Sequence, residues 1–329
     1  MFVSPTVVGN SVIVGSCAGS LHAVDRTKGS PVWVYDTRAD GPSAQFHGEP
    51  LLIGNRIVVP TDADPKGHIY SFDAASGNLQ WKVALNKGVA ATPLVIGDRI
   101  VGVSAEGEVV AVDAKSGKVV WQKAPAGPLK PLPYIPSPAY AGKRIFMADN
   151  INNVFAIDAA TGATLWRRTL SGRPNTALVV VGSSVIAGTV DGHLHWIASD
   201  SGEVEKTIRL EEGRPYGTPV LASPLLFVLA GGAKSSLLAL DAASGAVRWK
   251  QETPKEWTTY RPLLTGSNVI AGDQDRNLCA FDRASGAKRW CRPVGQVPRG
   301  LGIGDDGTFY VGSLSGVVQA FPSDARGSR

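Results

Sequence analysis

The chain has 329 residues, 43 % of them hydrophobic, with 38 glycines, 22 prolines and a formal net charge of +5. This is enough apolar material for a large core, and the Gly and Pro content suits many short strands joined by tight turns. The charge is modest and spread without a Lys/Arg block, which argues against nucleic acid as a partner, and no apolar run approaches the roughly 18 residues of a membrane span.

Met1-Phe2-Val3-Ser4-Pro5 has neither a basic n-region nor an apolar h-region, so no export signal is read in the chain. From there one unit recurs. Its turn signature is Asp25-Gly29-Trp33, Asp73-Gly77-Trp81, Asp113-Gly117-Trp121, Asp158-Gly162-Trp166, Asp241-Gly245-Trp249 and Asp282-Gly286-Trp290. A degenerate copy carries Ala198, Gly202 and Lys206, and a last half-copy, Val317 to Phe321, reaches Pro322 where the Asp is expected. The mean period is about 42 residues, which with several strands per copy signals a propeller rather than a helical solenoid.

The third copy shows the strands most clearly. Thr92–Ile96 is its strand A, Arg99–Ser104 its strand B, Glu108–Asp113 its strand C and Lys118–Lys123 its strand D, with Gly97-Asp98 and Glu106-Gly107 as turns. The signature residues have structural work to do. The Asp carboxylate can fold back onto backbone N–H groups of the turn, and the Gly can take a positive φ. The Trp can wedge between neighbouring sheets and donate its indole N–H. Copies repeated around a ring cannot all be catalytic.

The run from Ala156-Ile157-Asp158 through Thr161-Gly162 to Trp166 resembles the tryptophan-docking repeat of pyrroloquinoline-quinone (PQQ)-type propellers. The resemblance covers essentially the whole chain. It implies an all-β, eight-bladed β-propeller of four-stranded antiparallel blades, one domain over 1–322, followed by a disordered tail at 323–329. The family includes quinoprotein alcohol dehydrogenases and non-enzymatic BamB-like relatives of outer-membrane β-barrel assembly, so the fold does not choose the function. Two departures stand out. The chain opens at strand A and stops after strand C of the eighth blade; either that blade is three-stranded, or the protein begins upstream with an export signal and a closing strand. The fifth blade has lost Asp and Trp, so its outer edge is expected to pack less tightly.

Function is sought where the repeat breaks. The D–A loops Arg38–His47, Ala124–Pro136, Arg167–Asn175, Glu211–Tyr216 and Gln251–Tyr260 are long and unlike one another. The slot at the start of each A strand holds Ser4, Glu49, Thr92, Ser137, Thr176, Thr218, Arg261 and Gly300 in turn, with Glu49 and Arg261 the charged exceptions. With His47, Asn175, Arg214, Tyr216, Trp257, Tyr260 and Arg299 they would form a channel-mouth rim able to hold an anionic or carbohydrate-like ligand. The plainer alternative is a solvated rim with protein partners on the loops.

Metal readings are weak. His193 and His195 share a face of one strand, and Asp62 with Asp64 and Asp273 with Asp275 are loop pairs that could bind a cation, but turns favour Asp for their own reasons. A quinoprotein enzyme, by resemblance, would bring adjacent cysteines, a calcium cage and a catalytic Asp. The cysteines here are Cys17, Cys279 and Cys291, with no adjacent pair. Cys279 and Cys291 sit on facing strands of one hairpin, either as a cross-strand disulfide in an oxidising compartment or as two unpaired small residues. No catalytic residue, cofactor or metal is assigned.

The leading expectation is a non-catalytic, BamB-like scaffold of the bacterial envelope, periplasmic or extracellular, with the cytoplasm left open. Its protein partner would meet the D–A and B–C loop face, and membrane association would come through that partner. A PQQ- or metal-dependent oxidoreductase and a small-ligand or carbohydrate sensor are the alternatives.

Overall fold

Strands rich in Val, Ile and Ala, each ended by a Gly-containing turn, pair with their chain neighbours because two- and three-residue turns leave no other partner in reach. The computed structural model describes residues 4–40, 45–62, 66–89, 91–125, 136–232, 234–253, 255–313 and 315–322. In it eight antiparallel sheets follow one another along the chain, seven of four strands and the last of three. This is the expected all-β, eight-bladed propeller, with no α-helix among the described residues and a single 3-10 turn at Thr37–Asp40. The third sheet runs Leu94–Ile96, Arg99–Val103, Val109–Asp113 and Val119–Lys123, within two residues of each predicted boundary. The last sheet is Pro298–Ile303, Phe309–Ser313 and Val318–Phe321. The predicted tail at 323–329 lies outside the described residues.

The chain divides into two compact units. One holds Met1–Ile135, Ala160–Ala163 and Gly302–Ser323, the other Pro136–Ala159, Thr164–Leu301 and Asp324–Arg329. In each, the second and third strands of the four-stranded sheets are largely buried, Ser20–Asp25 less so than the others, while the fourth alternates toward solvent. Core clusters lie between successive sheets. Ile13, Leu21, Ile57 and Phe72 form one in the first unit, and Phe227, Leu237, Val269 and Phe281 form one in the second.

The signature residues fasten one sheet to the next. Asp25 Oδ1 accepts the backbone N–H groups of Thr27 and Lys28 and the Thr27 hydroxyl, and Asp73, Asp113, Asp241 and Asp282 accept a Ser N–H and hydroxyl in the same way. The turn closes with the Gly N–H on the Asp carbonyl, as from Gly77 to Asp73 at 2.9 Å. Gly77 has φ +73°, and a methyl group there would sit 2.5 Å from the Trp33 ring. The indole lies against the turn because there is no Cβ to exclude it.

Four of the docked indoles then donate to the carbonyl after the next turn's first residue. Trp33 donates to Ala74 O at 3.2 Å, Trp81 to Ala114 O at 3.2 Å, Trp166 to Ser199 O at 3.0 Å and Trp249 to Arg283 O at 2.9 Å. The fifth sheet departs from expectation. Lys206 stands at its docking position, but Trp196, directly opposite on the third strand, donates to Ala242 O at 2.9 Å. The Lys206 ammonium lies 4.9 Å from that ring's centre and bonds the Ala243 carbonyl. Trp196 is only 2 % exposed, so this edge is not loosened; the indole has moved one strand inward.

Candidate functional site

In the second unit, backbone-to-backbone links between successive sheets bring several of the singled-out residues together. Gly217, at φ +71°, approaches Tyr260 so closely that a Cβ would lie 2.2 Å from its carbonyl oxygen, and the next amide, Thr218 N–H, donates to that oxygen at 2.7 Å. Asn175 Nδ2 donates to Pro215 O at 2.8 Å. The Tyr216 hydroxyl donates to Trp257 O at 3.1 Å. Burial is the main cause that pushes this phenol up to about 12, so it stays protonated at neutral pH. The Arg299 guanidinium lies 5.7 Å from the centre of the Tyr260 ring, which is 40 % exposed.

Trp257 is not a rim residue. It is 3 % exposed and packs edge-on to Phe281 with ring centres 5.9 Å apart, so its face is not offered to a ligand. Arg214 and Arg261 are exposed. Arg214, among the predicted candidates, lines a cleft of about 640 Å³, which Asp191, Arg209 and Glu211 also line. The sequence reading missed Asp191 and Arg209. Asp191 sits in an Asp-Gly turn and looks like ordinary turn chemistry.

Partial burial pushes the Asp191 carboxyl up, but hydrogen bonds from Thr189, Ser171 and His193 outweigh it and hold the group at about 2. The cleft therefore carries two guanidinium and two carboxyl side chains at neutral pH, a mixed surface that suits a polar peptide better than a single anion.

In the first unit, Glu49 Oε1 accepts the Ser4 hydroxyl at 2.7 Å, and Glu49 N–H donates to Thr92 Oγ1 at 3.0 Å. His47 Nδ1 is 3.0 Å from Asp62 Oδ2. Glu49 and Arg261 belong to different compact units.

The Asp273–Asp275 pair does not converge. Asp273 spends both oxygens on Asn277, Oδ1 on its N–H at 2.9 Å and Oδ2 on its Nδ2 at 3.2 Å, while Asp275 pairs with Lys255. Asp64 and most of the Pro-rich loop at 124–136 lie outside the described residues. His195 is buried, sharing a hydrogen bond between Nδ1 and Thr207 Oγ1 at 3.0 Å, and His193 Nδ1 meets Asp191 Oδ2 at 3.1 Å. Among the described residues no three His, Cys, Asp or Glu side chains gather as metal ligands. Cys279 and Cys291 stand directly opposite each other, Cα atoms 4.1 Å apart, and are joined as a disulfide.

The family model described as outer membrane protein assembly factor BamB matches residues 17–187 and again 157–316. The chain belongs to this family. BamB of Shewanella oneidensis is 24 % identical over 248 residues, covering 72 % of this chain and 60 % of that protein. BamB of Vibrio cholerae is 32 % identical over 215 residues, covering 62 % of this chain and 53 % of that protein. The chain thus spans a little over half the length of the curated BamB relatives it matches. The crystal structure of BamB from Moraxella catarrhalis superposes with a TM-score of 0.76 at 19 % identity, covering 97 % of this chain and 95 % of that one. A europium-containing methanol dehydrogenase superposes with a TM-score of 0.67 at 14 % identity, covering 94 % and 81 %. At such identities both show the fold alone.

The fold is thus shared between BamB and a methanol dehydrogenase, and the donor set has to discriminate. This BamB-family chain places its paired cysteines across a strand hairpin, 12 residues apart in sequence, rather than next to each other. Of its loop carboxylates, Asp273 is engaged by its own turn, Asp275 by Lys255 and Asp62 by His47. The described residues do not fit a quinone with its calcium cage.

Proposed function

We propose that this chain is a non-catalytic scaffold, one domain over 1–322, that holds protein partners during outer-membrane protein assembly in the periplasm of a bacterial envelope. The carrying observation is the BamB family match, which runs through both halves of the chain from residue 17 to 316. The site geometry supports it. The polar residues singled out at the strand starts are largely spent on neighbouring sheets, as Asn175 is on Pro215 and Tyr216 on Trp257. The mixed-charge cleft beside Arg214, set between irregular loops, is where a partner segment would engage. No helix among the described residues is long and apolar enough to cross a membrane; membrane association through that partner is part of the proposal.

The test is affinity capture of the tagged full-length protein from cross-linked envelopes of its own host, read by mass spectrometry. Enrichment of outer-membrane assembly proteins, reduced by Arg214→Glu, is expected. A capture profile free of envelope proteins would sink the reading. Reconstitution with PQQ and calcium, followed by dye reduction with alcohols, should give no turnover.

A further inference from the structure

The segment that walls one side of the cleft also covers a buried imidazole. His195 lies on the strand His193–Ala198 and is 4 % exposed. It stands opposite Ala187 on one side and Thr207 on the other. Its Nδ1 is 3.0 Å from Thr207 Oγ1, and its Nε2 is 3.4 Å from both Thr189 Oγ1 and Ser171 Oγ.

Counting hydrogens assigns the tautomer. The Thr189 hydroxyl has one hydrogen and two carbonyl-type acceptors within reach, Asp191 Oδ1 at 2.5 Å and His193 O at 3.3 Å; the shorter bond, to a carboxylate, takes it. The Ser171 hydroxyl likewise bonds the Asp191 carboxylate. Both oxygens are left as acceptors toward His195, so Nε2 carries the ring hydrogen and Nδ1 accepts from Thr207.

Asp191 bolts this cover in place. Its carboxylate joins Thr189 and Ser171, which come from different loops, and its Oδ2 lies 3.1 Å from His193 Nδ1. A methyl group on Gly172 would sit 2.6 Å from Asp191 Oδ1, so the carboxylate fills the space that the missing Cβ leaves. The backbone closes the same turn. Gly192 N–H donates to Thr189 O at 3.1 Å, Val190 N–H to Arg173 O at 2.9 Å and Leu210 N–H to Gly192 O at 2.8 Å.

A proton on His195 is poorly housed in this arrangement. Nδ1 would become a second donor, the Thr207 hydroxyl would have to reverse, and the buried charge would meet hydroxyl oxygens rather than water. Among the described residues, Asp191 and His193 are the charged or titratable groups that act on the ring, while the flanking strands present Ala187 and Thr207. Burial lowers the imidazole pKa, Asp191 opposes this and His193 adds to it. Opening the cover admits water to the ring, so proton uptake and opening favour each other.

We propose that residues 189–192 and Ser171 form an acid-operated latch, closed over a neutral His195 and opened when that imidazole takes a proton. Opening frees Asp191 from Thr189 and Ser171 and so redraws the charge pattern beside Arg209 and Arg214 in the cleft. The latch needs only this chain's own residues and is independent of the assembly-factor reading.

The test combines histidine ring NMR with amide hydrogen exchange on the 329-residue chain, from about pH 8 to about pH 5, where imidazoles titrate. At the alkaline end the His195 ring should show the Nε2–H tautomer. On acidification the amides of Val190, Gly192 and Leu210 should lose protection several-fold relative to those of the buried strand Ser184–Gly188. His195→Gln, which keeps a donor but does not titrate, should abolish that loss. Gly172→Ala, which pushes Asp191 aside, should leave the three amides poorly protected at both ends of the range. The Nδ1–H tautomer, protection that does not fall with pH, an equal fall in His195→Gln, or full protection in Gly172→Ala would overturn the proposal. The tautomer and the exchange of the unaltered chain decide even where a variant impairs folding.

Discussion

The Trp196 indole donates to the Ala242 carbonyl at 2.9 Å, the same place in the following sheet that Trp33, Trp81, Trp166 and Trp249 reach from one strand further out. The docking contact outlives the loss of its usual residue. Trp196→Ala should therefore cost about 3–5 kcal/mol, the range for removing a buried aromatic. Lys206→Ala, which removes the cation over the ring, should cost about 1 kcal/mol or less. Urea unfolding of both variants checks the order.

The glycine seats differ in what they hold, and alanine should read the difference. Gly29→Ala meets only the backbone cost of a positive φ, about 1 kcal/mol. Gly117→Ala adds overlap with Trp81, 2.6 Å from the new methyl, and should cost about 2–4 kcal/mol in all. Equal losses would mean that the indoles shift freely.

The Cys279–Cys291 link closes a 12-residue separation. Intact-mass measurement with and without reductant should show the two-hydrogen difference, and reduction should lower stability by about 3 kcal/mol. Cys17, half-buried and unbonded, should be the thiol that alkylates without reduction.

Acid should destabilise the fold in two stages. Burial lowers the pKa of His22, His68 and His195 below the ordinary 6.5. A group depressed in the folded state favours folding above its unfolded pKa, and that contribution is lost as pH falls through the folded value. The first decline therefore starts below about 6.5, and His195→Gln should shrink it. The second belongs to the turn carboxylates. The Ser285 N–H and Arg289 hold Asp282 far below its ordinary 3.8, and Arg248 does the same for Asp241. Their contribution is complete above 3.8 and is lost below it, together with that of Asp191 as pH approaches 2. Melting temperature against pH, for wild type and Asp282→Asn, tests the second stage.

The buried phenol of Tyr216 gives a smaller effect. Tyr216→Phe loses the bond to Trp257 O and should cost about 1 kcal/mol in urea unfolding, with the far-UV circular dichroism of the folded state unchanged.

The repeat was legible because its chemistry is local: an Asp that caps its own turn, a Gly four residues on and a Trp four beyond. Strand positions in the third sheet followed from the same punctuation. Cys279 and Cys291 were legible as facing residues because their hairpin is symmetric about its turn. Trp196 was not legible as a docking residue, since it precedes Lys206 by ten positions and only strand register sets the two opposite each other. Trp257 was read as a rim aromatic because an irregular loop has no periodicity to reveal its burial. The Arg214 cleft was half visible: Glu211 and Arg214 lie in a named loop, but Asp191 and Arg209 come from neighbouring segments that only the fold brings alongside.

The docking contacts also carry a direction. Each indole belongs to one sheet and its seat to the sheet made next, so on a growing chain a sheet can be locked only after its successor's turn has emerged. Trp33 waits for Gly77, and Trp81 waits for Gly117. Folding during synthesis would then trail the emerging chain by about one 42-residue repeat, with the newest sheet always unfastened.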